Sequence, residues 1–98
     1  MEKRTPHCTL ERIKALLAAE RVRATSTALR GARALGLDYP GMLEVISRLE
    51  RADFYKSMTS YADHLVWQDV YRPLTAVGYV YLKLTVVDDV LIVSFKEL

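Results

Sequence analysis

The chain has 98 residues, of which 51% are hydrophobic and 27% charged, and its formal net charge is +2. This is the composition of one compact domain over residues 1–98, too short for two ordinary domains and too apolar for a disordered chain. No apolar run is long enough to span a bilayer, and the one cysteine, Cys8, leaves no internal disulfide to form.

The opening Met1-Glu2-Lys3-Arg4-Thr5-Pro6 has no apolar stretch behind it. No secretory signal is therefore expected, and the expected location is the cytoplasm, without membrane contact. Cys8, His7 and His64 are the only Cys and His side chains, too few for a structural zinc site, and no acidic cluster at motif spacing suggests another metal. Neither a metal nor a cofactor is expected. Charge is unevenly distributed: residues 1–35 carry eight Lys/Arg against three acids, and residues 36–98 carry six against nine. A basic half suits a polyanionic partner, although solvated Arg/Lys faces are also common on helices.

In chain order, helical spacing comes first. Leu10, Ile13, Leu16 and Leu17 form one stripe, with Thr9 as N-cap. A short extended bridge, Arg21-Val22-Arg23, follows. A second helix starts after Thr25 or Ser26, uses Leu29, Ala32 and Leu35, and stops at Gly36, a residue free to take the left-handed conformation after a helix end. A third begins near Pro40, which suits a first helical turn, and carries Met42, Val45, Ile46 and Leu49.

Beyond residue 50 the pattern changes to strands. Residues 54–59, 66–72, 77–86 and 90–96 are rich in β-branched and aromatic side chains. Tyr61-Ala62-Asp63, Pro73, Gly78 and Asp88-Asp89 interrupt them. Helices first and an antiparallel sheet second specify an α+β fold, with the N-terminal helices packed on a C-terminal antiparallel sheet.

Register links these strands to chemistry. If Asp88-Asp89 is a two-residue hairpin loop, Val87 pairs with Val90, Leu84 with Val93, and Leu82 with Phe95, so every pair on that face is apolar. The opposite face then pairs Lys83 with Ser94 and Tyr81 with Lys96. Asp-Asp is not the favoured two-residue turn, and a four-residue loop keeps the same register. In the preceding hairpin, a three- or five-residue loop centred on Ala62 pairs Met58 with Val66, Phe54 with Val70, and Lys56 with Gln68. A four-residue loop would put Lys56 and Gln68 on opposite faces, and the sequence leaves both open. The strand at 54–59 is the expected free edge, where a partner protein could add a strand.

A face carrying Lys56, Gln68, Tyr81, Lys83 and Lys96 offers cations for phosphates, an amide for a base edge, and a phenol for proton transfer. RNA carries its own nucleophile, the 2′-OH. Its cleavage needs a base for that hydroxyl, a cation for the developing phosphorane charge, and an acid for the leaving 5′-oxygen. Lys and Tyr can act as acid and base when neighbouring cations lower their pKa values. Such a site should be slower than a histidine-based one, because free Lys and Tyr titrate roughly three units above neutral. Each residue also has a plainer role: Tyr is a strand former, and Lys near a chain end keeps a surface soluble. His64 in a turn and His7 in a mobile N-terminal segment read as solvated residues. Trp67 and Tyr71 read as core or partner-facing, and Cys8 has no company that would make it a nucleophile.

The wording of the chain adds to this. Met1-Glu2-Lys3-Arg4-Thr5-Pro6-His7, Ala34-Leu35-Gly36-Leu37-Asp38 and Asp53-Phe54-Tyr55-Lys56-Ser57-Met58-Thr59 resemble the MqsR toxins. So do Trp67-Gln68-Asp69-Val70-Tyr71-Arg72-Pro73, Val80-Tyr81-Leu82-Lys83-Leu84-Thr85-Val86 and Asp89-Val90-Leu91-Ile92-Val93-Ser94-Phe95-Lys96-Glu97. The resemblance runs from end to end, loosely over residues 8–33 and 74–77.

It implies a RelE-like α+β fold and a type II toxin–antitoxin toxin, an endoribonuclease that cuts mRNA at GCU-type sites without the ribosome. It also implies an MqsA-like antitoxin that neutralises the toxin by tight association, contact with operator DNA only through that complex, and a link to persistence and biofilm physiology. The family's catalytic positions match Lys56, Gln68, Tyr81 and Lys96. Lys56 and Lys96 would then stabilise phosphate charge, Tyr81 transfer a proton, and Gln68 position the scissile nucleotide; Tyr55, Arg72 and Lys83 are expected to bind RNA. The competing expectations are a non-catalytic nucleic-acid-binding module and an antitoxin-binding regulator that has lost activity.

Overall fold

A computed structural model describes residues 1–62 and 64–98. The element order is β1 (Glu2–Lys3), α1 (Leu10–Ala18), β2 (Val22–Ala24), α2 (Ser26–Ala34), α3 (Tyr39–Ser47), a 3₁₀ turn (Arg51–Asp53), β3 (Phe54–Thr59), β4 (Trp67–Tyr71), β5 (Leu74–Thr75), β6 (Gly78–Val86) and β7 (Val90–Glu97). The α+β expectation holds: three helices lie against a mostly antiparallel sheet.

The helices begin where their caps dictate. Thr9, Thr25 and Asp38 each accept a hydrogen bond from a backbone N–H in the first turn, satisfying a donor that has no partner inside the helix. Two helices end through a left-handed residue. Gly36 takes φ 84° after α2, as its position requires, but Glu20 takes φ 60° after α1, a conformation that disfavours a side chain.

The sheet order is β1-β3-β4-β6-β7-β2, with β5 folded back on the start of β6. The sequence pattern gives no sign of β1 or β5, and shows β2 only as an extended bridge. The Arg21–Arg23 bridge enters the sheet as β2, which runs parallel to β7 and pairs Val22 with Val90 and Ala24 with Ile92. Glu2 and Lys3 form β1, paired with Met58 and Ser57 of β3. The expected free edge at Phe54–Thr59 is therefore wrong over Ser57 and Met58, because β1 already occupies it.

The β6–β7 register agrees with expectation at its open end and departs from it near the loop. Tyr81 pairs with Lys96, Leu82 with Phe95 and Lys83 with Ser94. The register then shifts between Lys83 and Leu84, so Leu84 pairs with Ile92 and Val86 with Val90. The expected pairs Leu84–Val93 and Val87–Val90 do not form. A bulge at Val93 takes up one residue, and Val87 joins Asp88 and Asp89 in the loop, exposed.

The β3–β4 hairpin is shifted by two residues from the expected pairing: Lys56 faces Val70, Met58 faces Gln68, and a register shift falls between Phe54 and Lys56. A shift of two preserves the faces, so Lys56 and Gln68 remain on one side. In the expected turn Tyr61-Ala62-Asp63, Asp63 lies outside the described residues.

The core lies between the helices and one sheet face. Ile13, Ala28, Ala32, Met42, Ile46 and Leu49 meet Tyr71, Val80, Leu82, Leu84, Val90, Ile92 and Phe95, all buried. Each fully buried large aliphatic side chain contributes about 1.5–3 kcal/mol relative to exposure. The Tyr71 hydroxyl is the exception here, buried without a hydrogen-bond partner among the described residues. Burial, aided by the nearby Asp69 carboxylate, pushes its phenol far above the usual value. No helix among the described residues is long and apolar enough to cross a membrane.

Candidate functional site

Strand alternation sends every second side chain of β3, β4, β6 and β7 to the face away from the helices. Lys56 and Met58, Gln68 and Val70, Tyr81, Lys83 and Thr85, and Ser94 and Lys96 share that open face. Lys56, Val70, Lys83 and Ser94 form one row across the sheet. Val70 is fully buried yet stands outside the helix-side core. Its position between two lysines explains this, since long aliphatic stems cover apolar surface while their ammonium groups stay in water.

Tyr81 and Lys96 are direct cross-strand partners, with the Lys96 Nζ 5.2 Å from the centre of the Tyr81 ring. At that distance the ammonium makes a cation–π contact with the ring. Gln68 lies beside Val70, the partner of Lys56, one step along the same face.

Tyr55 stands at the register shift of β3 and collects cations: the Arg72 guanidinium lies 3.7 Å from its ring centre, Arg4 5.3 Å and the Lys56 Nζ 5.4 Å. Arg4 also donates to the Tyr55 carbonyl at 3.4 Å. A guanidinium stacked on a ring keeps its N–H fork free at the edge, the geometry that grips phosphate oxygens.

Glu2 reaches this face from β1. Its Oε2 is 2.8 Å from the Lys56 Nζ. The hydrogen bond to Glu2 holds the Lys56 ammonium above the usual lysine value against the opposing effect of burial, and Glu2 is pulled below the usual carboxylate value. A lysine held in this way stays an ammonium, whereas proton transfer by a lysine requires a lowered value.

The N-terminal segment was expected to be mobile, and that expectation is corrected too. The buried Asp69 carboxylate accepts from the backbone N–H groups of His7, at 3.0 and 3.1 Å, and of Cys8, at 3.0 Å. The His7 ring stacks on Trp67 at 5.7 Å, and the Lys3 Nζ lies 4.1 Å from the Trp67 ring centre. Trp67 thus looks to the helix side, beneath the N-terminal segment. Burial pushes the Cys8 thiol up, away from the reactive thiolate. His64 is exposed in a turn. Among the described residues no cluster of three His, Cys, Asp or Glu side chains is placed to hold a metal.

The structure therefore brings Lys56, Gln68, Tyr81, Lys83 and Lys96 onto one face, with Tyr55 and Arg72 at its margin. Sequence reasoning missed Glu2, Arg4 and Asp69. They join the site through contacts between residues about fifty to sixty apart in the chain, which no local pattern signals.

Residues 5–97 match the family described as motility quorum-sensing regulator, toxin of MqsA. The chain is also 61% identical, over 97 residues covering 99% of both sequences, to the mRNA interferase toxin MqsR of Escherichia coli (strain K12).

Proposed function

The chain belongs to the MqsR toxin family and is an endoribonuclease toxin, and from that premise we propose that it cuts mRNA at GCU-type sites, without a metal ion, on the open face of its sheet. The observation that carries this reading is the pairing of Tyr81 with Lys96 on the face that also bears Lys56 and Gln68.

Tyr81 transfers the proton at the reacting oxygen. Lys56 and Lys96 stabilise the charge that grows on the phosphorane, a task suited to groups that remain cationic. Gln68 holds the scissile nucleotide by its amide, and Lys83, Arg72 and Tyr55 extend the grip along the strand, two by charge and one by stacking. The 2′-oxygen bonds to the adjacent phosphorus as the P–O5′ bond breaks, leaving a 2′,3′-cyclic phosphate and a 5′-hydroxyl, so no outside nucleophile is needed. One proton leaves the 2′-oxygen and one reaches the 5′-oxygen, with Tyr81 carrying one transfer and water the other. The cations of the face supply the charge that a metal ion would otherwise provide.

The whole chain acts as one toxin domain in the cytoplasm, where mRNA is found. Its partner is an MqsA-type antitoxin that neutralises it by tight association and links it to operator DNA. The test is incubation of the purified, antitoxin-free protein in EDTA with an RNA carrying one GCU and with a matched RNA lacking it. Cleavage of the first alone is expected. Intact RNA from folded protein would favour a non-catalytic binding module, and cleavage that needs added Mg²⁺ would remove the metal-free route.

A further inference from the structure

Among the basic side chains of the open face and its margin, Lys56, Lys83, Lys96 and Arg72 differ in their partners. Lys83, Lys96 and Arg72 form no ion pair among the described residues; Lys56 forms one, with Glu2. The other ion pairs among the described residues, Arg21–Asp89 and Arg48–Glu44, involve none of these residues. The cation on β3, at the end of the row next to β1, is therefore the one already paired, with a carboxylate from outside the sheet's hairpins.

The way Glu2 is held matters. It sits on β1, joined to β3 by the Glu2–Met58 and Lys3–Ser57 pairs and by the Thr59 N–H donating to the Met1 carbonyl at 3.0 Å. Its side chain is 52% exposed, whereas that of Lys56 is only 19% exposed. The lysine is thus hemmed in by its neighbours, and the glutamate lies on the solvent side of the pair. The following chain stays in place regardless, because Asp69 clamps the backbone at His7 and Cys8. A carboxylate and a phosphodiester seated together on one ammonium would lie a few ångström apart and repel.

We propose that Glu2 is an intramolecular competitor for the Lys56 ammonium, which an RNA phosphate must displace before the substrate seats on the open face. This rests on the reading of that face as the nuclease site. Replacing carboxylate by phosphodiester leaves the charge at Lys56 unchanged, so binding there gains less than at Lys83 or Lys96. Glu2 thereby lowers affinity for RNA chains in general and, once displaced, takes no part in the chemical step.

A double-mutant cycle tests this. Binding of a fluorescent 2′-O-methyl oligonucleotide containing GCU, which lacks the attacking hydroxyl, would be measured for the wild type, Glu2→Gln, Lys56→Met and the double variant. Methionine keeps a stem over Val70. Glu2→Gln should tighten binding about two- to five-fold, the scale of an exposed charge pair, and should have no effect in the Lys56→Met background. Thermal unfolding should not move, since an exposed ion pair contributes little to stability.

Equal tightening in both backgrounds would overturn the proposal, because Glu2 would then act only as a distant negative charge. Weaker binding, or slower cleavage of the ribo-substrate by a folded Glu2→Gln variant, would overturn it in favour of a positioning role. Failure of every protein to bind the oligonucleotide would remove the nuclease-site reading and the competitor with it, an outcome distinct from binding without coupling.

Discussion

On the helix side of the sheet, Leu82, Leu84, Ile92 and Phe95 are closed off by helices and reach almost no solvent. On the other side, the residues next to them in sequence, Tyr81, Lys83, Ser94 and Lys96, are polar, two of them charged, and lie on the face away from the helices. One pair of strands builds both surfaces, and one register serves both. Pairing Leu82 with Phe95 to fill the core obliges Tyr81 to meet Lys96. The core face therefore fixes geometry at the open face without touching it, and apart from Val70 and Thr85 the open face buries little.

That division can be broken one face at a time. Phe95→Ala should cost about 3–5 kcal/mol in denaturant unfolding, while cleavage per folded molecule stays near wild type. Lys96→Ala, one residue along, should change stability by less than about 0.5 kcal/mol. If both variants lost stability equally, the faces would not be separable in this way.

A second test concerns the clamp that brings residues from the helix side to the edge of the open face. Asp69→Ala removes hydrogen bonds to a buried carboxylate, which are worth about 1.5–3 kcal/mol for a charged acceptor. Limited proteolysis should then cut within residues 1–8 of the variant and spare the wild type. An unchanged digestion pattern would mean that other contacts hold the segment.

The smallest effect comes from the helix side. Tyr71→Phe deletes a buried hydroxyl without a partner and should stabilise the protein by about 1 kcal/mol at neutral pH. The sign of the pH effect follows from the raised phenol. The folded state keeps the proton where the unfolded chain loses it, so stability is constant below the ordinary tyrosine value of 10.0 and falls as pH rises above it. Cys8, raised from 9.0 by burial, adds to the same decline. Urea midpoints measured from pH 7 to 11 should fall for the wild type and flatten in Tyr71→Phe. A parallel decline in both would assign the alkaline loss to other groups.

Legibility in the sequence followed the same division. The helix stripes and the first two caps were readable from local pattern, and the Tyr81–Lys96 pair from apolar matching at the open end of β6–β7, where alternation is unbroken. The same matching misplaced the β3–β4 hairpin by two residues. In β4, Asp69, Val70 and Tyr71 are all buried, on both faces, so apolarity no longer distinguishes inside from outside. The bulge at Val93 carries no sequence mark. β1 and β2 are too short to show a period, and they form only because a neighbouring strand offers its edge. Glu2 could not be placed beside Lys56 without knowing β1, so the site's cations were readable and the carboxylate among them was not.

The central claim is that the open face performs the cleavage. The direct measurement is the single-turnover cleavage rate of one GCU-containing RNA, in EDTA, by wild type, Tyr81→Phe, Lys96→Ala and Phe95→Leu, each shown to be folded by circular dichroism. The account predicts a loss of about 10²–10⁴-fold for the two open-face variants, the usual contribution of a proton-transfer group, and near-normal cleavage for the core variant. Full activity in both Tyr81→Phe and Lys96→Ala would contradict it and move the chemistry elsewhere on the molecule.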